Sequence, residues 1–129
     1  MKLHIGVDVL GLPNMMAVTT ANVTDRNGAL EMIGCAGSAL SKCVKILADG
    51  GYTGENFTNG VKTLIGAEVE IVKRNELHTF AVLPKRWIVE RSFAWLEDCR
   101  LLWKNCERKI KNTLQATKMA FISLLLRRY

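Results

Sequence analysis

An α/β domain with a mixed sheet is the fold class this sequence predicts, on three observations. Apolar and polar residues alternate over two neighbouring segments near the N-terminus, with turn chemistry between them. A short apolar run then stops at an acid and two glycines, and a further strand-like segment follows a helical stretch. The last third of the chain carries helical periodicity without strand punctuation.

The elements follow in order. Residues 2–9 read as a strand, with Leu3, Ile5, Val7 and Val9 alternating against His4, Gly6 and Asp8. Leu10 to Asn14 is turn chemistry and Met15 to Thr20 a second strand, together an antiparallel hairpin. Thr24 or Asp25 caps a helix running to about Ser41, against the cost of Gly28, Gly34 and Gly37. Val44 to Ala48 has the pattern of a central strand, Gly54 to Gly66 of a helix, and Glu68 to Val72 of a further strand. Lys73 to Pro84 reads as a connection, within which Thr79 to Leu83 adds a short edge strand. The strongest helix is expected from Lys85 to about Cys106, and Asn112 or Thr113 opens a last helix to the C-terminus. The chain shows no repeat or linker, so residues 1–129 are read as a single domain.

Composition narrows the function classes. No stretch approaches the roughly 20 apolar residues of a membrane span, and Asp8 interrupts any signal-peptide core, so a cytoplasmic protein without membrane partners is expected. Cys35, Cys43, Cys99 and Cys106 form no Cys-x-x-Cys pair, which argues against a zinc site. The net charge of +6 is unevenly spread. Residues 1–84 carry 7 Lys/Arg against 8 Asp/Glu, whereas residues 85–129 carry 11 against 4. A basic C-terminal block on helical sequence is what a surface for nucleic-acid phosphate looks like; its plain alternative is a solvated helix face.

Two carboxylates stand out by their settings. Asp49 ends the run Lys45-Ile46-Leu47-Ala48-Asp49-Gly50-Gly51-Tyr52, at the carboxyl end of a predicted strand, where open α/β sheets bind ligands. Asp-Gly is also ordinary turn chemistry. Glu90 sits on the long helix with Trp87, Ala94 and Leu101 on or near its face, so a covering partner is expected for its charge, a metal being one. The alternative is an ion pair with Arg86 or Arg91. Arg86 one turn earlier, with Arg91 and Arg100, can extend a phosphate grip along this helix, and Lys104 continues the basic block. Asp8 reads as a hairpin acid near the turn. Trp87, Trp95 and Trp103 read as core packing rather than as a base-stacking platform.

The words Lys2-Leu3-His4-Ile5-Gly6-Val7-Asp8, Ala48-Asp49-Gly50-Gly51-Tyr52 and Val82 to Leu96, with the closing Leu125 to Tyr129, resemble the catalytic region of DDE transposases of bacterial insertion sequences, in the five/four group. That resemblance implies an RNase H-like (retroviral-integrase-like) mixed sheet with flanking helices. It also implies Mg2+- or Mn2+-dependent cutting and joining of DNA at transposon ends. Asp49 matches the family's second catalytic and metal-binding acid, Glu90 its third, and Arg86 the arginine of its tyrosine–arginine–glutamate–lysine signature. The tyrosine and lysine slots fall on Leu83 and Glu97, so the centre of that signature is kept. In the family the first acid comes from a strand preceding the Lys2–Val9 segment. The expectation is therefore a C-terminal part of the catalytic domain, with the first strand and its acid missing. DNA is the implied partner, together with a second copy or a full-length transposase. A non-catalytic DNA-binding or inhibitory remnant is the alternative, and a small nuclease using Asp8 as the first acid is a third reading.

Overall fold

A computed structural model describes residues 1–72, 86–99 and 108–128. Strand β1 (Lys2–Val7) and strand β2 (Pro13–Thr19) form an antiparallel hairpin in which Leu3 faces Val18 and Ile5 faces Met16. Helix α1 (Asp25–Cys35) follows, then strand β3 (Lys45–Asp49), a single 3-10 turn over Gly50–Tyr52, helix α2 (Glu55–Ile65) and strand β4 (Glu68–Val72). Strands β3 and β4 are parallel, with Ala48 opposite Ile71 and Asp49 opposite Val72. Helices α3 (Arg86–Glu97) and α4 (Ile110–Arg128) complete the described elements.

The sequence predicts one mixed sheet, and among the described residues there are instead two ladders of two strands, β1–β2 and β3–β4. Each ladder is closed by its own connection, a tight turn in one and the α2 crossover in the other. Neither connection brings the two ladders into hydrogen-bonding reach. They share a core all the same. Met15 of β2 and Ile46 and Ala48 of β3 pack against the cluster of Ala29, Ile33, Leu40, Phe57, Val61 and Ala67. The other face of the hairpin is covered by α3 and α4, where Leu3, Ile5 and Met16 meet Leu96, Ala120 and Phe121. The period of two in β2 thus serves two apolar layers, Met15 in one and Met16 in the other, and a one-residue slip would exchange them.

Local chemistry accounts for the element ends. Thr24, not Asp25, is the cap of α1: its Oγ1 accepts from the Asn27 amide at 3.3 Å, while Asp25 adds negative charge to the first turn. Helix α1 stops at Cys35 rather than near Ser41, because the Ala36 amide turns back to the Met32 and Ile33 carbonyls and glycines flank this exit. Helix α2 ends at Gly66, which takes the left-handed conformation (φ 69°) that a Cβ would penalise. Helix α3 ends at Glu97, and the expected edge strand over Thr79–Leu83 lies outside the described residues.

Candidate functional site: the Asp49 strand end and the Glu90 helix

Asp49 closes β3 at the carboxyl end of the parallel pair and is exposed. Its Oδ1 accepts from the Gly51 amide at 3.0 Å, so the acid caps the 3-10 turn that follows. The turn and strand-end readings of Asp49 therefore hold at once. Gly51 carries no side chain between this carboxylate and its surroundings, and a Cβ there would come to 3.2 Å of Oδ1.

The neighbours of Asp49 come from elements distant in sequence. Arg26, in the first turn of α1, donates from Nε to the Gly51 carbonyl at 3.1 Å and so secures the glycine turn. Tyr52 packs on Phe57 with ring centroids 5.4 Å apart. Burial pushes the Tyr52 phenol above its usual range, and the carboxylates of Asp25 and Asp49 push the same way. Arg26 was not legible as a site neighbour, since nothing in the local sequence ties it to a turn 25 residues away.

Glu90 lies in α3 and is exposed, so the partly covered face expected for it is not what surrounds it. The residues after it are fastened to the β1–β2 turn. Arg91 donates from Nη2 to the Leu10 carbonyl at 2.9 Å, and buried Ser92 donates from Oγ toward the Gly11 carbonyl at 3.1 Å. The Arg91 guanidinium lies 4.7 Å from the Trp87 ring centroid and 4.8 Å from that of Trp95, between two indoles spaced one helical turn either side of it. Trp87 is half-exposed, so it is a stacking surface for Arg91 rather than the core residue its spacing suggested. Arg86 is the first residue of α3; Arg100, Lys104 and Trp103 lie outside the described residues.

Asp8 has a structural post. Its Oδ1 accepts from the amides of Leu10 (2.9 Å) and Leu12 (3.0 Å), which shapes the hairpin turn. Among the described residues, no group of three or more His, Cys, Asp or Glu side chains converges as a metal site. Carboxylate oxygens such as those of Asp49 and Glu90 are nonetheless the donor type that Mg2+ and Mn2+ prefer. In the basic C-terminal block, Arg108, Lys109, Lys111, Lys118 and Arg127 are all exposed. No described helix is long and apolar enough to cross a membrane.

These features define an α/β domain with an acid at a strand end and a basic helical half. Residues 1–126 match the family described as "Transposase DDE domain", and the chain belongs to that family. The chain is also 34% identical, over 115 residues, to a Burkholderia cepacia protein named as a transposase for insertion sequence element IS402. That match covers 84% of this chain and 54% of the relative, so the chain spans about half the relative's length. No solved structure matches the chain significantly.

Proposed function

We propose that this chain forms part of the catalytic apparatus of an insertion-sequence transposase, acting in metal-dependent cutting and joining of transposon DNA ends. The observation that carries the reading is the exposed Asp49 at the carboxyl end of the parallel β3–β4 pair, in a chain of the DDE family. Asp49 and Glu90 are the proposed catalytic acids and the holders of Mg2+ or Mn2+, which when bound activates the attacking oxygen and stabilises the leaving one. Asp49 offers the oxygen that the Gly51 amide does not engage, and Glu90 offers an exposed carboxylate on a braced helix. Arg86, Arg91, Arg100 and Lys104 are the proposed contacts to DNA phosphate. The Leu10 carbonyl and two indoles fix the Arg91 guanidinium. Arg26 joins this set through its place beside the glycine turn.

An RNase H-like fold belongs to the same reading and is supported by the order of hairpin, helix and parallel strand pair. DNA ends and target DNA are then the substrates. A second copy or a full-length transposase is the protein partner, for which strands that pair on one side only among the described residues offer hydrogen-bonding edges. The exposed basic residues of the C-terminal half favour one second reading, a non-catalytic DNA-binding or inhibitory chain. A Mn2+ titration separates the two. Loss of binding in Asp49→Ala supports the catalytic reading. DNA binding that persists without any dependence on Asp49, Glu90 or metal supports the second.

A further inference from the structure

We infer that the β1–β2 turn is the seat that positions Glu90, and that Asp8, Arg91 and Ser92 are positioning residues for it; this rests on the proposed role of Glu90. The turn is built first. The Asp8 carboxylate gathers the amides of Leu10 and Leu12, the Asp8 amide donates to the Leu12 carbonyl, and the Gly11 amide donates to the Asp8 carbonyl. Gly11 takes φ +82°, open to glycine at little cost. With the inner groups satisfied, the Leu10 and Gly11 carbonyls are presented to α3.

Helix α3 answers with two consecutive residues, Arg91 and Ser92, which immediately follow Glu90. Arg91 takes the Leu10 carbonyl and Ser92 the Gly11 carbonyl, the latter hydroxyl also lying 3.1 Å from the Ile88 carbonyl of its own helix. Two bonds from adjacent residues to adjacent carbonyls fix both the rotation of α3 about its axis and its height along the turn. The fit is close: a Cβ on Gly11 would lie 2.6 Å from Arg91 Nη2 and 3.4 Å from Ile88 Cγ2. The Trp87 and Trp95 rings both lie against the guanidinium, and Arg91 Nε is buried with no hydrogen-bond partner among the described residues. An arginine here is costly unless its fixed geometry is used. Asp8 thereby acts on the proposed site through the backbone it shapes and not as a metal-binding acid.

The test compares Asp8→Asn, Asp8→Ala, Arg91→Lys and Arg91→Ala in the whole chain by amide hydrogen exchange and by Mn2+ titration. Asparagine keeps an acceptor oxygen at the turn and discards the charge. Asp8→Ala and Arg91→Ala are expected to speed exchange of the α3 amides about tenfold while those of α2 stay unchanged. The same two variants weaken Mn2+ binding several-fold, whereas Asp8→Asn matches the unmodified chain in both readouts and Arg91→Lys falls between. Equal acceleration in α2 and α3, unchanged α3 exchange, or a loosened α3 with full Mn2+ affinity overturns the proposal. Asp8→Asn as damaging as Asp8→Ala overturns it too, by showing that the charge is what matters. Asp49→Asn and Glu90→Gln are run alongside. If neither alters Mn2+ binding, the metal-site reading fails by itself, and the exchange data still decide whether the turn seats α3.

Discussion

Replacing Gly28 with alanine should destabilise the chain, against the usual benefit of alanine in a helix. Gly28 sits in the first half of α1 where the helix crosses β1, and the His4 imidazole fills the space its missing side chain leaves. A methyl at position 28 would lie 2.4 Å from His4 Nε2, 2.6 Å from Cε1 and 3.0 Å from Cδ2. The ring cannot swing away without cost, because His4 is buried and its Nε2 is 2.9 Å from the hydroxyl of buried Thr19. Alanine gains about 1 kcal/mol of helix propensity. Overpacking a filled core site costs about 1–3 kcal/mol, and separating a buried hydrogen-bonded pair costs about 1 kcal/mol more. The balance is a loss of roughly 1–3 kcal/mol, or several degrees in Tm for a domain of this size. Thermal and urea unfolding of Gly28→Ala read it directly, and the same substitution in a His4→Ala background should cost nothing or stabilise. Gly34→Ala is the internal control. Among the described residues only Leu64 Cδ2, at 3.8 Å, would meet that Cβ, so stability should rise by up to about 1 kcal/mol. An unchanged or raised Tm in Gly28→Ala would refute the packing argument.

Other consequences follow from single groups. Thr24→Ala should cost about 1 kcal/mol by leaving the Asn27 amide of α1 without its cap, with Thr24→Ser close to the unmodified chain in urea unfolding. Burial lowers the His4 pKa below its ordinary value near 6.5, an effect the Asp25 carboxylate partly offsets. The unfolded chain therefore takes up the proton first as pH falls through that value, and stability should decline across the same range, a slope absent in His4→Gln. Neutralising Lys104, Arg108, Lys109 and Lys111 should weaken DNA binding and flatten its dependence on salt, the slope falling by about 0.9 for each duplex phosphate the chain no longer neutralises.

The elements themselves were largely legible. The period of two in residues 2–7 and the run ending at Asp49 have no helical alternative of sufficient length, and β4 coincides with the Glu68–Val72 alternation. Helix α2 was bounded by the glycines that flank it. Less visible was how strands assemble: pairing is settled by long-range contacts, so in place of the single predicted sheet the described residues form two ladders that share a core. The place of Asp49 at a strand end was legible, but the contacts around Asp49 and Glu90 were not. The partly covered face expected around Glu90 came from helical spacing, which places residues on a face without saying what lies opposite. Likewise the bond from Arg91 to Leu10 spans 81 residues and that from Arg26 to Gly51 spans 25, distances over which local pattern carries no signal.

Iron-directed backbone cleavage reads a metal site shared by Asp49 and Glu90. Fe2+ bound in place of Mg2+, with ascorbate and peroxide, cuts the chain beside its ligands. Two cut sites are expected, one next to Asp49 and one next to Glu90, both lost in Asp49→Asn and both suppressed by excess Mg2+. Cuts at one site alone, or cuts that survive Asp49→Asn, would contradict a metal shared between the strand end and the helix.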